Sequence, residues 1–265
     1  MLRIVAITGN QPRHRYLVEK IQRLGGLVGW ILEQREPFIP DTPAGLDSKL
    51  SQLYMKHFAN RKDSENRFFS PNEEISVPTI EITKNNLNSI STVKFINQLS
   101  PDLVISYGCH KLNKELIQNC TATFWNTHGG LSPDYRGVIT HFWPSYNLEP
   151  QMTGMTLHQT SDQIDGGNVL HQEAANLVAG DGIHELAARA VVNYCESLSY
   201  VFKALNKFGI PQGIEQRTSG KIYRSSDWRP EHLKLVYEKY DDRIVDYVLE
   251  GELTGRAPQL LSVFK

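Results

Sequence analysis

The chain has 265 residues, with 28 Lys and Arg against 29 Asp and Glu for a formal charge of −1, and a pI near 6.8. That balance speaks against a general nucleic-acid binder, which carries a basic excess. No apolar run approaches the roughly 20 residues of a membrane span, and the run over residues 2–7 stops at Thr8-Gly9, too short for a signal-peptide core. Cys109, Cys120 and Cys195 are odd in number and widely spaced, which fits a reduced, cytoplasmic protein without a disulfide framework or a Cys-based zinc site.

Residues 2–7 read as a short buried strand closed by a turn signal. After a loop, residues 15–24 read as a helix with Leu17, Ile21 and Leu24 on one face, ended by Gly25-Gly26, and residues 27–32 as a second strand. Strand, helix and strand within about thirty residues make a βαβ unit and predict a parallel sheet. Residues 33–77 are less regular: Pro37, Pro40 and Pro43 mark a loop, and 46–58 read as a solvated surface helix with no assigned role. A strand is expected at 78–82, a helix capped by Asn86 and running to Leu99, and a buried strand at 103–105 that ends at Ser106-Tyr107-Gly108. A short helix over 113–118 leads to a strand at 121–125. Residues 153–160 alternate, with Met155 and Leu157 on one face and Thr156 and His158 on the other. A turn over 162–167, a strand at 169–172 and a long helix over 184–205 follow, then a weak strand at 221–224 and a charged helix at 231–250. The pattern predicts an α/β fold over residues 1–206 with a short C-terminal extension over 207–265. In open α/β sheets ligands bind beyond the carboxyl ends of strands, which directs attention to residues 8–14, 106–112 and 126–137.

The stretch from Asn126 to Gly137, Asn-Thr-His-Gly-Gly-Leu-Ser-Pro-Asp-Tyr-Arg-Gly, is the most informative. Asn126 and His128 share a face if strand geometry persists, and an amide beside an imidazole suits one developing oxyanion. Asp165 lies 37 residues after His128, in Ile164-Asp165-Gly166-Gly167. If it folds back beside His128, its carboxylate is expected to raise the imidazole pKa and hold the ring protonated, or to take a proton itself. Amide, imidazole and carboxylate suit acyl transfer to an amine without a covalent intermediate. No Gly-x-Ser-x-Gly elbow supports a serine acyl-enzyme.

Asn-x-His followed by Leu-x-Pro-x-Tyr-x-Gly, with the later Ile-Asp-Gly-Gly turn, resembles the 10-formyltetrahydrofolate-dependent formyltransferases, a family that includes glycinamide ribonucleotide, methionyl-tRNA and sugar N-formyltransferases. The likeness covers roughly residues 1–205 and is weakest at 33–77. It implies a Rossmann-like, mostly parallel sheet flanked by helices, and a catalytic triad on Asn126, His128 and Asp165. It implies that Asn126 and His128 stabilise the oxyanion and that Asp165 assists proton removal from the amine. It places the folate between Tyr107, Gly108, His110, Lys111 and Leu112 on one side and Ser161, Asp162 and Ile164 on the other. Thr8-Gly9-Asn10 matches a loop that holds substrate phosphate in the glycinamide ribonucleotide branch, and Arg13 and His14 follow it here as candidates for an anion at a helix N-terminus. Gly129-Gly130-Leu131-Ser132-Pro133 departs from the family's Ser-Leu-Leu-Pro run, which suggests a changed acceptor pocket. The last 60 residues do not match a tRNA-gripping domain.

The expectation is therefore formyl transfer from 10-formyltetrahydrofolate, without a metal, to a small phosphate-bearing amine, with a nucleotide-linked amino sugar favoured and glycinamide ribonucleotide or another amine as the alternative. Hydrolysis of the formyl donor is a second enzymatic reading. No nucleic-acid or membrane partner is expected, and the extension is a candidate for mediating a homodimer. Arg136 and His158 are candidate acceptor contacts, each with a structural alternative; Trp125, Phe142 and Trp143 read as core. A non-enzymatic alternative is a ligand- or metal-binding protein using His128, His141 and His158, although their spacing is not a helix-borne metal motif. Gly9 lacks the following Gly-x-x-Gly of a dinucleotide-binding loop.

Overall fold

In a computed structural model, which describes residues 2–37, 39–71, 73–217 and 220–264, the N-terminal apolar run forms β1 (Ile4–Gly9), buried along its whole length. It can be continuously apolar because helices cover both faces of its sheet. Ile4 and Ala6 face one apolar cluster and Val5 and Ile7 the other, as the period of two requires. α1 (Pro12–Arg23) starts three residues earlier than the apolar spacing predicts, because Pro12 suits the first helical turn. β2 (Leu27–Glu33) pairs parallel to β1.

The segment read as a solvated helix over 46–58 is corrected. It forms α2 (Ser48–Phe68), capped by Asp47, whose carboxylate accepts from the Leu50 amide at 2.8 Å. Leu50, Tyr54, His57, Ser64 and Glu65 are buried along it, and it packs on the long helix described below. An inward stripe this polar carries little apolar periodicity.

β3 (Thr79–Ile82) is the sheet edge. The single helix expected from Asn86 is two: α3 (Lys84–Leu87) and α4 (Ile90–Leu99), the second capped by Ser89. β4 (Leu103–Tyr107), α5 (Lys114–Gln118) and β5 (Thr123–His128) follow, with β1 to β5 parallel to one another. A short β6 (Tyr135–Gly137) and α6 (Trp143–Tyr146) precede β7 (Gly154–Gln159) and β8 (Val169–Ala174). β7 runs antiparallel to β5 and sets Asn126 opposite His158 and His128 opposite Thr156. The sheet order is β3-β2-β1-β4-β5-β7-β8. This is the mostly parallel, helix-flanked α/β sheet the sequence implied. α7 (Ile183–Phe208) contributes twelve buried residues and covers the β7–β8 end.

Beyond α7, β9 (Lys221–Tyr223) pairs with β6. The charged helix expected over 231–250 is not continuous. A widened π-type turn over Lys234–Lys239 stops where Asp241 and Asp242 take positive φ, and α8 (Ile244–Leu249) begins afterwards. The break has a use: the Asp242 carboxylate accepts from the Ile183 amide at 3.0 Å and so caps α7. Leu233, Val236, Tyr237 and Ile244 pack with Leu131, Tyr135, Phe142 and Trp143 in a third apolar cluster, which Tyr54 of α2 also joins. Among the described residues no helix is long and apolar enough to cross a membrane.

Candidate active site

The carboxyl end of β5 presents Asn126 and His128, and the turn after β7 brings Asp165 to them. Asp165 Oδ2 lies 3.4 Å from His128 Nδ1, and Oδ1 lies 3.5 Å from His158 Nε2. The Asp165 backbone is left-handed, at φ +44, a conformation Asp tolerates better than most residues. The glycines after it are needed for contact rather than freedom. A Cβ on Gly167 would lie 1.7 Å from the Gln159 carbonyl oxygen, so only glycine lets the turn close onto β7. Gln216 holds the turn from outside by donating to the carbonyls of Asp165 and Gly167 at 2.8 and 2.7 Å.

Each group is oriented by backbone or by a neighbour. Ser106 donates to Asn126 Oδ1 at 2.8 Å, which turns the amide nitrogen toward His158 Nε2 at 3.2 Å. His158 donates from Nδ1 to the Gln159 carbonyl at 2.8 Å, so its Nε2 lone pair accepts from Asn126. An amide nitrogen has two N–H groups, and one remains for a ligand. His128 Nε2 lies 2.8 Å from the Tyr135 carbonyl. That contact explains Gly130, where a Cβ would stand 2.5 Å from the same carbonyl oxygen and 2.7 Å from His128 Nε2. The Gly137 amide donates to Asp165 Oδ2 at 2.8 Å.

Burial pushes His128 below its ordinary pKa by more than the Asp165 charge and the Tyr135 carbonyl restore. The expectation of a raised, protonated imidazole is therefore corrected, because desolvation outweighs the ion pair. Burial pushes the other way on Asp165, but His128 and the Gly137 amide hold its carboxyl well below the usual range. At neutral pH the pair is thus a neutral ring beside an ionised carboxylate. The ring is flanked by two acceptors, the Tyr135 carbonyl and Asp165, while a neutral imidazole has only one N–H.

Asn126, His128 and Asp165 all line a single cavity of about 520 Å³. Tyr107, Gly108, Arg13, His14 and His141 line it too. Other expected residues lie elsewhere. His110 turns to Glu33, with Nδ1 2.7 Å from Oε1, and Leu112 is packed in the apolar cluster under β1. Lys111 donates from Nζ to the Asp162 carbonyl at 3.0 Å, joining the two segments expected to flank the folate. Ser161 and Asp162 line a second, smaller cleft beyond the Asp165 turn, and Ile164 is 52% exposed beside it. Asn10 donates to Gln34 at 2.9 Å, and Gly9 packs against Gly108 and His14. Arg136 is buried on β6, outside the cavity lining. Arg13 is ion-paired with Glu65. His14 is buried with its ring against Tyr107, and burial holds it neutral. Trp125 and Trp143 are core, whereas Phe142 also lines the cavity. Among the described residues no group of three or more His, Cys, Asp or Glu is arranged to hold a metal. His128, His141 and His158 instead spend ring nitrogens separately on the carbonyls of Tyr135, Gly154 and Gln159.

Sequence reasoning missed one wall. His57, Arg61 and Glu65 of α2 line the cavity, as do His184 of α7 and Trp228 beyond it. A signal existed: residues 57, 61 and 65 repeat at i, i+4, placing a His, an Arg and a Glu on one helical face.

The profile of the formyl transferase family matches residues 40–199. A curated relative, the bifunctional polymyxin resistance protein ArnA of Wigglesworthia glossinidia brevipalpis, is 32% identical over 85 residues; that match covers 32% of this chain and 13% of the relative. Among solved structures, a sugar N-formyltransferase from Shewanella sp. superposes with a TM-score of 0.54 at 18% identity, covering 86% of this chain and 78% of the other. Glycinamide ribonucleotide transformylase 1 from Symbiobacterium toebii gives 0.52 at 16% identity, covering 78% and 88%. An N-formyltransferase from Helicobacter canadensis gives 0.52 at 16% identity, covering 86% and 73%. At these identities the solved structures speak for the fold, and the family match, over more than half of the residues, makes this chain a member of the formyl transferase family.

Proposed function

We propose that the chain moves a formyl group from 10-formyltetrahydrofolate to the primary amine of a nucleotide-linked amino sugar. The observation that carries this reading is the convergence of Asn126, His128 and Asp165 on one wall of one cavity. A volume of about 520 Å³ falls within the range of small-molecule sites, which suits the reactive end of a folate beside an amine. The amino-sugar reading draws support from the similar Helicobacter canadensis structure, described as a complex with folinic acid and dTDP-3-aminofucose. Glycinamide ribonucleotide transformylases share the fold as well.

The donor supplies an electrophilic carbonyl carbon attached to nitrogen. As the amine attacks, a C–N bond forms and negative charge grows on the formyl oxygen, which accepts from the second Asn126 N–H. The amine nitrogen must lose a proton. Neutral His128 and ionised Asp165 accept it as a pair, and the resulting imidazolium satisfies the Tyr135 carbonyl and the carboxylate together. The same proton then goes to the departing nitrogen of the folate as the old C–N bond breaks. No group on the protein needs to become covalently modified.

The test is incubation with 10-formyltetrahydrofolate and a panel of nucleotide-linked 3- and 4-amino sugars, following folate release and the formylated product. Turnover on at least one is expected. Turnover on glycinamide ribonucleotide alone rejects the acceptor and keeps the chemistry, and formate release independent of any amine indicates hydrolysis instead.

A further inference from the structure

The polar face of α2 is not used by the chemistry above, and it carries an unsatisfied group. The Glu65 side chain is 8% exposed and lines the cavity. Its Oε1 is met by Arg13 and, at 3.5 Å, by Arg61 Nε. Its Oε2 is also buried, with no hydrogen-bond partner among the described residues. Buried carboxylate oxygens are rarely left without a donor. Arg61 also donates to Gln11 Oε1 at 2.9 Å, so α1 and α2 build this corner together. Two guanidiniums share one carboxylate oxygen in this corner. A ligand that completes it must bring an anion to the arginines and an O–H or N–H to Glu65 Oε2. A pyranose carrying an anomeric phosphate offers both from adjacent positions.

We infer that Arg13, Arg61 and Glu65 form the subsite for the sugar-phosphate end of the acceptor, with the arginines on the phosphate and Glu65 Oε2 accepting from a ring hydroxyl. This rests on the acceptor class proposed above. It assigns to α2 a role in reading the sugar as well as the charge, since a site for phosphate alone has no use for a carboxylate among its cations.

The experiment titrates the full chain with α-D-glucose 1-phosphate and, separately, with inorganic phosphate, reading binding by NMR shift changes or calorimetry. Neither probe carries an amine, so chemistry is not involved. Arg61→Ala is expected to weaken both probes, glucose 1-phosphate by about tenfold or more, as for loss of a charge-assisted contact. Glu65→Gln is expected to split them. Its amide oxygen faces the guanidiniums and leaves N–H groups where the hydroxyl needs an acceptor, so glucose 1-phosphate weakens by about fivefold. Inorganic phosphate, relieved of a neighbouring negative charge, binds as well as before or better. Glu65→Gln changes little in volume and stands as the informative variant if Arg61→Ala does not fold by circular dichroism. The inference is overturned if wild type does not bind glucose 1-phosphate, or if Glu65→Gln weakens the two probes alike. Formyl transfer to an amino-sugar nucleotide by a protein that fails this titration keeps the proposed function and removes the subsite. Residue-dependent sugar-phosphate binding without formyl transfer does the reverse.

Discussion

The two ends of the cavity are built differently. At the β5–β7 end the reacting groups are fixed mainly by backbone: the Tyr135 and Gln159 carbonyls and the Gly137 amide hold His128, His158 and Asp165. At the α2 end, side chains hold side chains, as Arg13, Arg61, Glu65 and Gln11 meet one another across two helices. Groups tied to a sheet's backbone are held to tight geometry, as chemistry needs. Side chains on a helix face can be exchanged without disturbing the sheet, which suits recognition.

The contrast makes predictions that differ in kind as well as size. The largest effect belongs to the sheet end: His128→Ala and Asp165→Asn should each lower kcat by about a hundredfold or more, the scale of lost oxyanion and proton-transfer stabilisation. Steady-state kinetics should show little change in acceptor affinity, and a loss confined to KM would put these residues on the recognition side instead. Ser106→Ala should come next. Without the hydroxyl that turns the Asn126 amide, kcat should fall by about tenfold with KM nearly unchanged, and Ser106→Thr should recover part of the rate.

Stability against pH probes the burial of histidines throughout the cavity. Burial lowers His57 and His141 to about 3, and His14, His128 and His184 are also lowered. A folded pKa below the unfolded value means that the unfolded chain binds more protons in acid. This stability is complete above about pH 6.5 and is lost as pH falls, by up to about 1.4 kcal/mol per pH unit for each such group. Urea unfolding at pH 8, 6.5 and 5 should show the fall beginning near 6.5, and His57→Phe should make it shallower. Asp165, held low, adds to the loss only below its unfolded pKa near 4.

Asp242 has the opposite sign. Burial raises its carboxyl to about 6, so its contribution is greatest below its unfolded pKa and declines as pH rises toward 6. Asp242→Asn keeps an acceptor for the Ile183 amide without a buried charge. This gives the smallest effect, a gain of about 1 kcal/mol at pH 7 in the same unfolding assay; a loss of that size would show that the charge itself is needed at the α7 terminus.

The sheet end was legible because its signals are local. A buried strand reads as an apolar run, Asn126 and His128 sit two apart on one strand, and Asp-Gly-Gly marks a turn tight enough to bring a carboxylate back. The succession of strands and helices from β1 to β5 followed from such apolar runs and the turn signals that close them. The α2 wall was not legible because its inward residues, His57, Arg61 and Glu65, are those that ordinarily face water, so a polarity-based reading turned the helix inside out. The same bias made one helix of 231–250, where Asp241 and Asp242 break the pattern by adopting left-handed backbone that no spacing reveals. His128's protonation was misjudged for a related reason: a sequence shows that Asp165 is near but not how much water both have lost.

The cavity draws on residues from Gln11 to Trp228, and the loop that carries Gly129 and Phe142 is backed by side chains that come later still, such as Val236 and Ile244. During synthesis the parallel core of β1 to β5 is available for pairing long before this backing emerges. The parallel core is thus encoded ahead of the side chains that back the site, and the last of those named, Ile244, lies in α8.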